Sequence, residues 1–254
     1  MNQVIVEFSM DIEEIERLNR QTYDTIAAEY DGENHHTCRN FDYFNRHFLQ
    51  EYCKKYVKSM HVDILDIGVG TGNSVGTLID EVGIITGALD VLDISENMLQ
   101  VCRHKYAKSI RNSINTSIFS YRSSIKYQRV ISTLCDPFLC EQTFESVSRL
   151  LTSKGHFVIT FPSEDWVRNV GRKDIHINTF KTLTGVNVDA FSFSPPIAEI
   201  KSIADMYGFK VIDMVIYDLT DLPSDRISQI NAKILSHTNN CSFLTCIVLE
   251  KRNT

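Results

Sequence analysis

The sequence predicts an α/β fold built on a doubly wound, mostly parallel sheet. Three observations predict it. Val62, Ile64, Leu65 and Ile67 form a short, nearly continuous apolar run, which a strand covered on both faces requires. The turn Gly68-x-Gly70-x-Gly72 follows at once, and Val75, Leu78, Ile79 and Val82 then repeat at helical spacing. A second apolar run ends at Asp93, 21 residues beyond Gly72. Strand, glycine turn, helix, strand and terminal acid are the parts of a nucleoside-binding unit.

Each part has a chemical reason. Glycines let the backbone approach a ligand closely, a helix N-terminus offers free N–H groups, and a carboxylate at the second strand's end accepts hydrogen bonds from ribose hydroxyls. The spacing is GxGxG rather than GxGxxG, and Asn73 follows Gly72. Asp66 stands two residues before the first glycine. A carboxylate there repels a pyrophosphate and attracts a cation, which favours a cofactor bearing sulfonium and ammonium groups over NAD or FAD.

With these features the sequence resembles the class I S-adenosylmethionine-dependent methyltransferases of small-molecule type. Residues 66–72 match their (Asp/Glu)-x-Gly-x-Gly-x-Gly motif. Asp93-Ile94-Ser95-Glu96-Asn97-Met98-Leu99 matches the segment after their second strand, and Tyr23-Asp24-Thr25-Ile26-Ala27-Ala28-Glu29-Tyr30-Asp31 matches a frequent N-terminal motif. The resemblance spans roughly residues 20–250. It implies a Rossmann-like, seven-stranded sheet with an antiparallel last strand, and S-adenosyl-L-methionine as cofactor. It also implies roles: Asp66 meets the amino-acid moiety, Asp93 the ribose, Ile94 and Met98 the two faces of adenine. Gly68, Gly70, Gly72 and Thr133 border the ligand, and Tyr23 and Tyr30 cover it. The chain departs from the pattern in three places. The acid often found after the third strand is missing, with Ser120, Tyr121 and Arg122 nearby, which leaves adenine to backbone groups. Gln128 replaces a frequent Asp. Asp136-Pro137-Phe138 is not the Asn-Pro-Pro-Tyr of enzymes that methylate amino groups of DNA bases or glutamine.

The elements follow in order. Tyr23, Ile26, Ala27 and Tyr30 share one helix face; Phe41, Phe44, Phe48 and Tyr52 share another; a polar break lies between, at 31–38. Residues 1–58 are expected to form a helical cap on a single domain of residues 1–254. Strands are expected at 62–67, about 87–92, 116–121, 129–133 and 156–161. Helices are expected at 73–82, after the N-cap Ser95, and through Cys140, Phe144, Val147 and Leu151. Strand and helix alternating at this spacing mean parallel strands with right-handed crossovers. Residues 162–194 are too long for an ordinary connection and read as an inserted lid or ribbon. Pro195-Pro196 opens a helix closed by Gly208. Strands at 210–217 and 242–249 finish the chain, with a short helix around 224–235 between them.

Composition narrows the function. A formal net charge of −6 and 43% hydrophobic residues give no attraction to nucleic acid or anionic membrane, and no apolar run is long enough to span one. The N-terminus lacks a basic start and a cleavable apolar core. Seven cysteines without a CxxC pair read as reduced thiols in a cytoplasmic protein, with no metal site. Methyl transfer is a displacement at sulfonium that needs in-line alignment, and a base only when the acceptor must lose a proton. The candidates for that base are His35, His36, Asp136 and His176. Arg168 and Arg172 could hold an anionic group, although solvated surface is their commoner role. The expected function is methyl transfer to an O, N or C atom of a small molecule. A peptide acceptor and a non-catalytic, cofactor-binding accessory subunit are the alternatives; a filled cavity would mark the latter. The oligomeric state is left open by the sequence.

Overall fold

The computed structural model describes residues 11–32, 35–57, 62–82, 89–169, 176–227 and 241–253. Two helices come first. α1 (Ile12–Ile26) starts at Asp11, whose side chain accepts from the Glu14 amide at 2.8 Å, with Glu13 and Glu14 in the first turn where the helix dipole favours acids. α2 (His36–Tyr56) buries Phe41, Phe44, Phe48, Leu49 and Tyr52. Then come β1 (Ile64–Ile67), α3 (Asn73–Val82), β2 (Leu89–Asp93), α4 (Glu96–Tyr106), β3 (Ile110–Asn115), β4 (Tyr127–Thr133), α5 (Glu141–Leu150) and β5 (Leu151–Pro162). α6 (Glu164–Asn169) leads to a hairpin of β6 (Ile177–Lys181) and β7 (Asn187–Phe191). α7 (Ile197–Met206), β8 (Phe209–Asp218), α8 (Ser224–Ile227) and β9 (Ser242–Lys251) complete the order.

Seven strands form one sheet in the order β3-β2-β1-β4-β5-β9-β8. β1 to β5 run parallel, and β9 lies antiparallel between β5 and β8. The last strand is therefore internal, which agrees with its run of buried residues from Phe243 to Leu249. The chain moves outward from β1 through β2 to β3, then returns to the other side of β1 with β4. That reversal opens a crevice beyond the carboxyl ends of β1 and β4, where open α/β sheets bind ligands.

Both faces of the sheet are covered. Ile64 joins Phe44, Phe48 and Phe243 on one side, whereas Leu65 and Ile67 join Phe144, Phe157 and Phe209 on the other. This explains why β1 reads as continuous apolar sequence.

The third strand differs from expectation. It occupies Ile110–Asn115, and residues 118–120 form a turn. β3 is an edge strand with no fully buried residue, so its apolar signal is weak. The apolar run at 117–121 is real, but Ile118, Phe119 and Tyr121 pack onto the core from a loop. β5 begins at Leu151, five residues before the expected start, so Leu151 is strand rather than helix face. The 162–194 insertion also divides. Trp166 is buried against Phe41 and Phe243, which makes α6 part of the core, whereas the hairpin packs on α1. Of the helix expected at 224–235, residues 224–227 are helical and the rest lie outside the described residues, as do 87 and 88.

One polar group is buried mid-strand for structure. Asp90 accepts from Arg111 Nε at 2.9 Å and Nη2 at 2.8 Å, from Tyr127 Oη at 2.7 Å and from Asn112 Nδ2 at 2.9 Å. Burial opposes its ionisation, but these bonds outweigh burial and hold the carboxyl below its ordinary range. The stabilisation is thus present above the unfolded value of about 3.9 and is lost as pH falls through the lower folded value. Arg111→Met should cost roughly 3 kcal/mol in chemical denaturation, because it strands a buried charge. The loss of stability on acidification should also be shallower in the variant than in the wild type. A cost within error of zero would mean that Tyr127 and Asn112 suffice.

Candidate functional site

A cavity with about 910 Å³ of empty space opens at the carboxyl edge of the sheet. Its floor is the glycine turn. The Gly68 and Val69 amides donate to the Leu92 carbonyl at 2.8 and 3.2 Å, fastening the turn to β2. Gly70 N–H donates to Asp93 Oδ2 at 2.8 Å, and Ser95 N–H donates to Oδ1 at 2.8 Å. Gly70 has φ +55°, and a Cβ added there would meet open space. Gly72 has φ +88°, and a Cβ there would strike Cys102 Sγ at 2.8 Å and the Tyr106 ring at 2.9 Å. The first glycine keeps the cavity open; the second lets α4 close on the turn.

Tyr23, Tyr30, Gly68, Gly70, Asp93, Ile94, Met98 and Thr133 all line the cavity. Gly72 does not, and serves packing instead. Asp66 is fully buried just behind the wall, where its carboxylate accepts from the Ser74 hydroxyl, and Ser74 lines the cavity. The other oxygen of Asp66 has no partner among the described residues. Burial pushes Asp66 up to about 7, against the pull of Ser74 and with a push from Asp93. Burial also raises Asp93 to about 6, despite the bonds from Ser95 and Gly70. Carboxyls this hard to ionise lack a compensating cation.

The expected bases gather less well. His35 is buried beneath Tyr30 and Phe180, at ring distances of 6.2 and 5.7 Å, and does not line the cavity. Burial lowers its pKa, so it stands neutral. His176 stacks on Phe191 at 5.7 Å, also away from the cavity wall. The side chains of His36 and Asp136 lie outside the described residues, as does Arg172. Arg168 is exposed and paired with Glu164 one turn earlier. Residues 120–122 do not reach the cavity; because β3 ends at Asn115, the wall there is Ser117 and Ile118.

The sequence did not reveal the polar residues that seat the cap. Asn19 grips β7 in both directions, donating to the Phe191 carbonyl at 3.1 Å and accepting from its amide at 2.7 Å. Thr22 donates to the Asp189 carbonyl, and Glu29 accepts from the Leu183 amide at 2.9 Å. Phe180 closes on Tyr23 at 5.9 Å and on Tyr30 at 6.4 Å. α1 and the β6–β7 hairpin are thus one unit. Asp24 accepts from Ser95 Oγ at 2.6 Å and from the Asn97 amide at 3.2 Å, seating α1 on the start of α4. Asp31 accepts from Thr71 Oγ1 at 2.8 Å, Asn73 Nδ2 at 3.4 Å and Lys105 Nζ, which pins the α1–α2 loop to the glycine turn. Arg39 pairs with Asp42 at 2.9 Å beside Asn73. Burial pushes Asp42 up to about 6, although Arg39 opposes it. These residues border a second hollow of about 760 Å³ that meets the first at Asp42, Asn73, Ser74 and Thr133.

The ubiE/COQ5 methyltransferase family matches this chain over residues 10–120, the stretch that holds α1, the glycine turn, Asp93 and α4. This match, over fewer than half of the residues, together with the fold supports a class I S-adenosylmethionine-dependent methyltransferase. Its cofactor is S-adenosylmethionine, and it is an enzyme of this class. Solved class I methyltransferases share the fold at low identity. An S-adenosylmethionine-dependent methyltransferase from Clostridium acetobutylicum is 12% identical, with 82% of this chain and 91% of that chain covered, at a TM-score of 0.57. Magnesium protoporphyrin IX methyltransferase from Synechocystis, solved with bound S-adenosylmethionine, is 11% identical, with 96% and 98% covered, at 0.59. The protein solved with the Haloferax volcanii Trm112 methyltransferase activator is 19% identical, with 93% and 98% covered, at 0.62. No curated protein matches the chain by sequence. Among the described residues no helix is long and apolar enough to cross a membrane.

The two glycines of this methyltransferase turn should separate in a stability assay. Gly70→Ala should cost about 1–2 kcal/mol, the strain of left-handed backbone alone. Gly72→Ala adds overpacking against Cys102 and Tyr106, worth about 1–3 kcal/mol more. Urea denaturation measures both; an equal or larger loss at Gly70 would contradict this division of roles.

Proposed function

We propose that this chain transfers a methyl group from S-adenosylmethionine to an O, N or C atom of a small-molecule acceptor. The observation that carries this reading is the cap. α1 lines the cavity with Glu16, Asn19 and Tyr23, next to Tyr30, and the β6–β7 hairpin backs these residues through Asn19, Thr22, Glu29 and Phe180. An acceptor must fit beneath them, which suits a small molecule better than a folded protein or a nucleic acid.

Bound S-adenosylmethionine supplies an electrophilic methyl on a sulfonium. The chain's residues would hold and orient it. Asp93 accepts ribose hydroxyls on its remaining lone pairs. Ile94 and Met98 cover the base. The vacant oxygen of Asp66, with Ser74, takes the cofactor's ammonium group, while Arg39 is near enough to the second hollow to balance its carboxylate. Gly68 and Gly70 let the main chain come close. Tyr23 and Tyr30 exclude water from the reacting end. Displacement at sulfonium depends chiefly on this alignment, so no side chain is assigned as base.

Incubation with S-adenosylmethionine and a metabolite extract, read by mass spectrometry, should reveal a methylated small molecule. A second reading, a chain that works bound to an activator protein, draws on the Haloferax volcanii neighbour; activity of the isolated chain decides between them. In calorimetry S-adenosylhomocysteine should bind and NAD should not. Asp93→Ala should weaken binding roughly 10- to 150-fold, the loss of charged hydrogen bonds. The ammonium group needs Asp66 ionised, and Asp66 titrates at about 7. Affinity should therefore climb as pH rises towards neutrality, and Asp66→Asn should flatten the climb. A pH-independent affinity in the wild type would remove Asp66 from the site.

Hydrogen exchange tests the cap. Adding S-adenosylhomocysteine should protect residues 12–32 and 177–191 together, because Asn19 and Thr22 tie α1 to β7. Protection of α1 alone would show that the two move independently.

A further inference from the structure

We propose that Glu16, on α1, is the hydrogen-bond acceptor for the exocyclic amino group of the cofactor's adenine, a contact supplied by the cap rather than by the sheet. The inference rests on the cofactor reading of the cavity. Strand order fixes where the base must lie. The amino-acid end belongs at Asp66 and Ser74, beyond β1, and the ribose at Asp93, at the end of β2. The base then continues in the same direction, toward the end of β3. There the cavity wall is apolar, with Ile94, Ile118 and Phe138, and suits a planar aromatic ring.

An adenine edge also presents an amino donor, which discriminates strongly only against a well-placed acceptor. The loop after β3 holds hydroxyls and no carboxylate. Among the described residues three acids border the cavity: Glu16, Asp42 and Asp93. Asp93 stands at the end of β2, where the ribose is assigned, and Asp42 lies at the opposite end beside Arg39 and Asn73. Glu16 is the acid at the β3 end. One of its oxygens accepts from the Ser117 hydroxyl, which holds the carboxylate against the strand end. The other has no partner among the described residues. Glu16, Asn19 and Tyr23 line the cavity from successive turns of one helix face, and the Asn19 and Asp24 contacts fix that helix in place. Adenine selectivity is thereby tied to cap closure.

A ligand–mutant cycle tests this. Calorimetry compares S-adenosylhomocysteine with its analogue in which hydrogen replaces the 6-amino group. The wild type should prefer the amino compound by roughly 10- to 100-fold, as a charged hydrogen bond allows. Glu16→Ala should shrink that preference to less than about threefold while still binding both ligands. Glu16→Gln keeps an acceptor oxygen and should retain an intermediate preference. An undiminished preference in Glu16→Ala overturns the proposal; should that variant not fold, an undiminished preference in Glu16→Gln does so. A wild type that binds both ligands equally also overturns it, and leaves the cofactor reading intact. A wild type that binds neither ligand removes the cofactor reading itself.

Discussion

The site depends on one carboxylate, Asp93. It stands at the end of β2 and takes the Gly70 amide on one oxygen and the Ser95 amide on the other. One buried group thus fixes both the glycine turn and the entry into α4. Ser95 in turn caps α4 at the Met98 amide and donates to Asp24, which brings α1 down onto the sheet edge. Floor, wall and lid of the cavity are linked through this acid. These bonds do not exhaust the side chain: carboxylate oxygens carry two lone pairs each, and the amides use one.

Legibility in the sequence followed burial. β1 and β2 are covered on both faces, so their apolar runs are unambiguous, and the glycine turn between β1 and α3 carries its own spacing. β3 lies at the edge, where Arg111 and Asn112 point polar groups back at Asp90, and its pattern is diluted. The eye is drawn to Ile118 and Phe119 instead, which are apolar because a loop can also cover a core. The misplaced strand displaced the expected adenine wall by a few residues, from Ser117 to Ser120. The same logic applies to the cap. Asn19, Thr22 and Asp24 look like ordinary polar positions on a surface helix. Their partners are main-chain groups or side chains more than 70 residues away, and no local periodicity encodes such a pairing.

The catalytic candidates illustrate a different limit. Histidine is noticed in a sequence because its chemistry is versatile, yet His35 and His176 are held in aromatic contacts, with Tyr30 and Phe180 in one case and Phe191 in the other. Both rings act as packing surfaces here. A reaction driven by alignment places its demands on walls and distances, so the residues that matter most to it are apolar, glycine or main-chain groups, which draw little notice in a sequence.

Electrostatics connects the cavity to stability. Asp66, Asp93 and Asp42 all titrate above the ordinary carboxyl range, at about 7, 6 and 6, chiefly because they are buried. The folded chain therefore keeps protons that the unfolded chain has released between about pH 4 and 7, and stability falls as pH rises through that window. This is the opposite sign to Asp90, whose cation is built in as Arg111. The contrast separates the two kinds of buried acid in this protein. Where the charge is structural, the chain supplies its own counter-ion. Asp66 and Asp93 lack such a cation, and at Asp42 the pairing with Arg39 does not overcome burial, so all three hold their protons longer than the unfolded chain does.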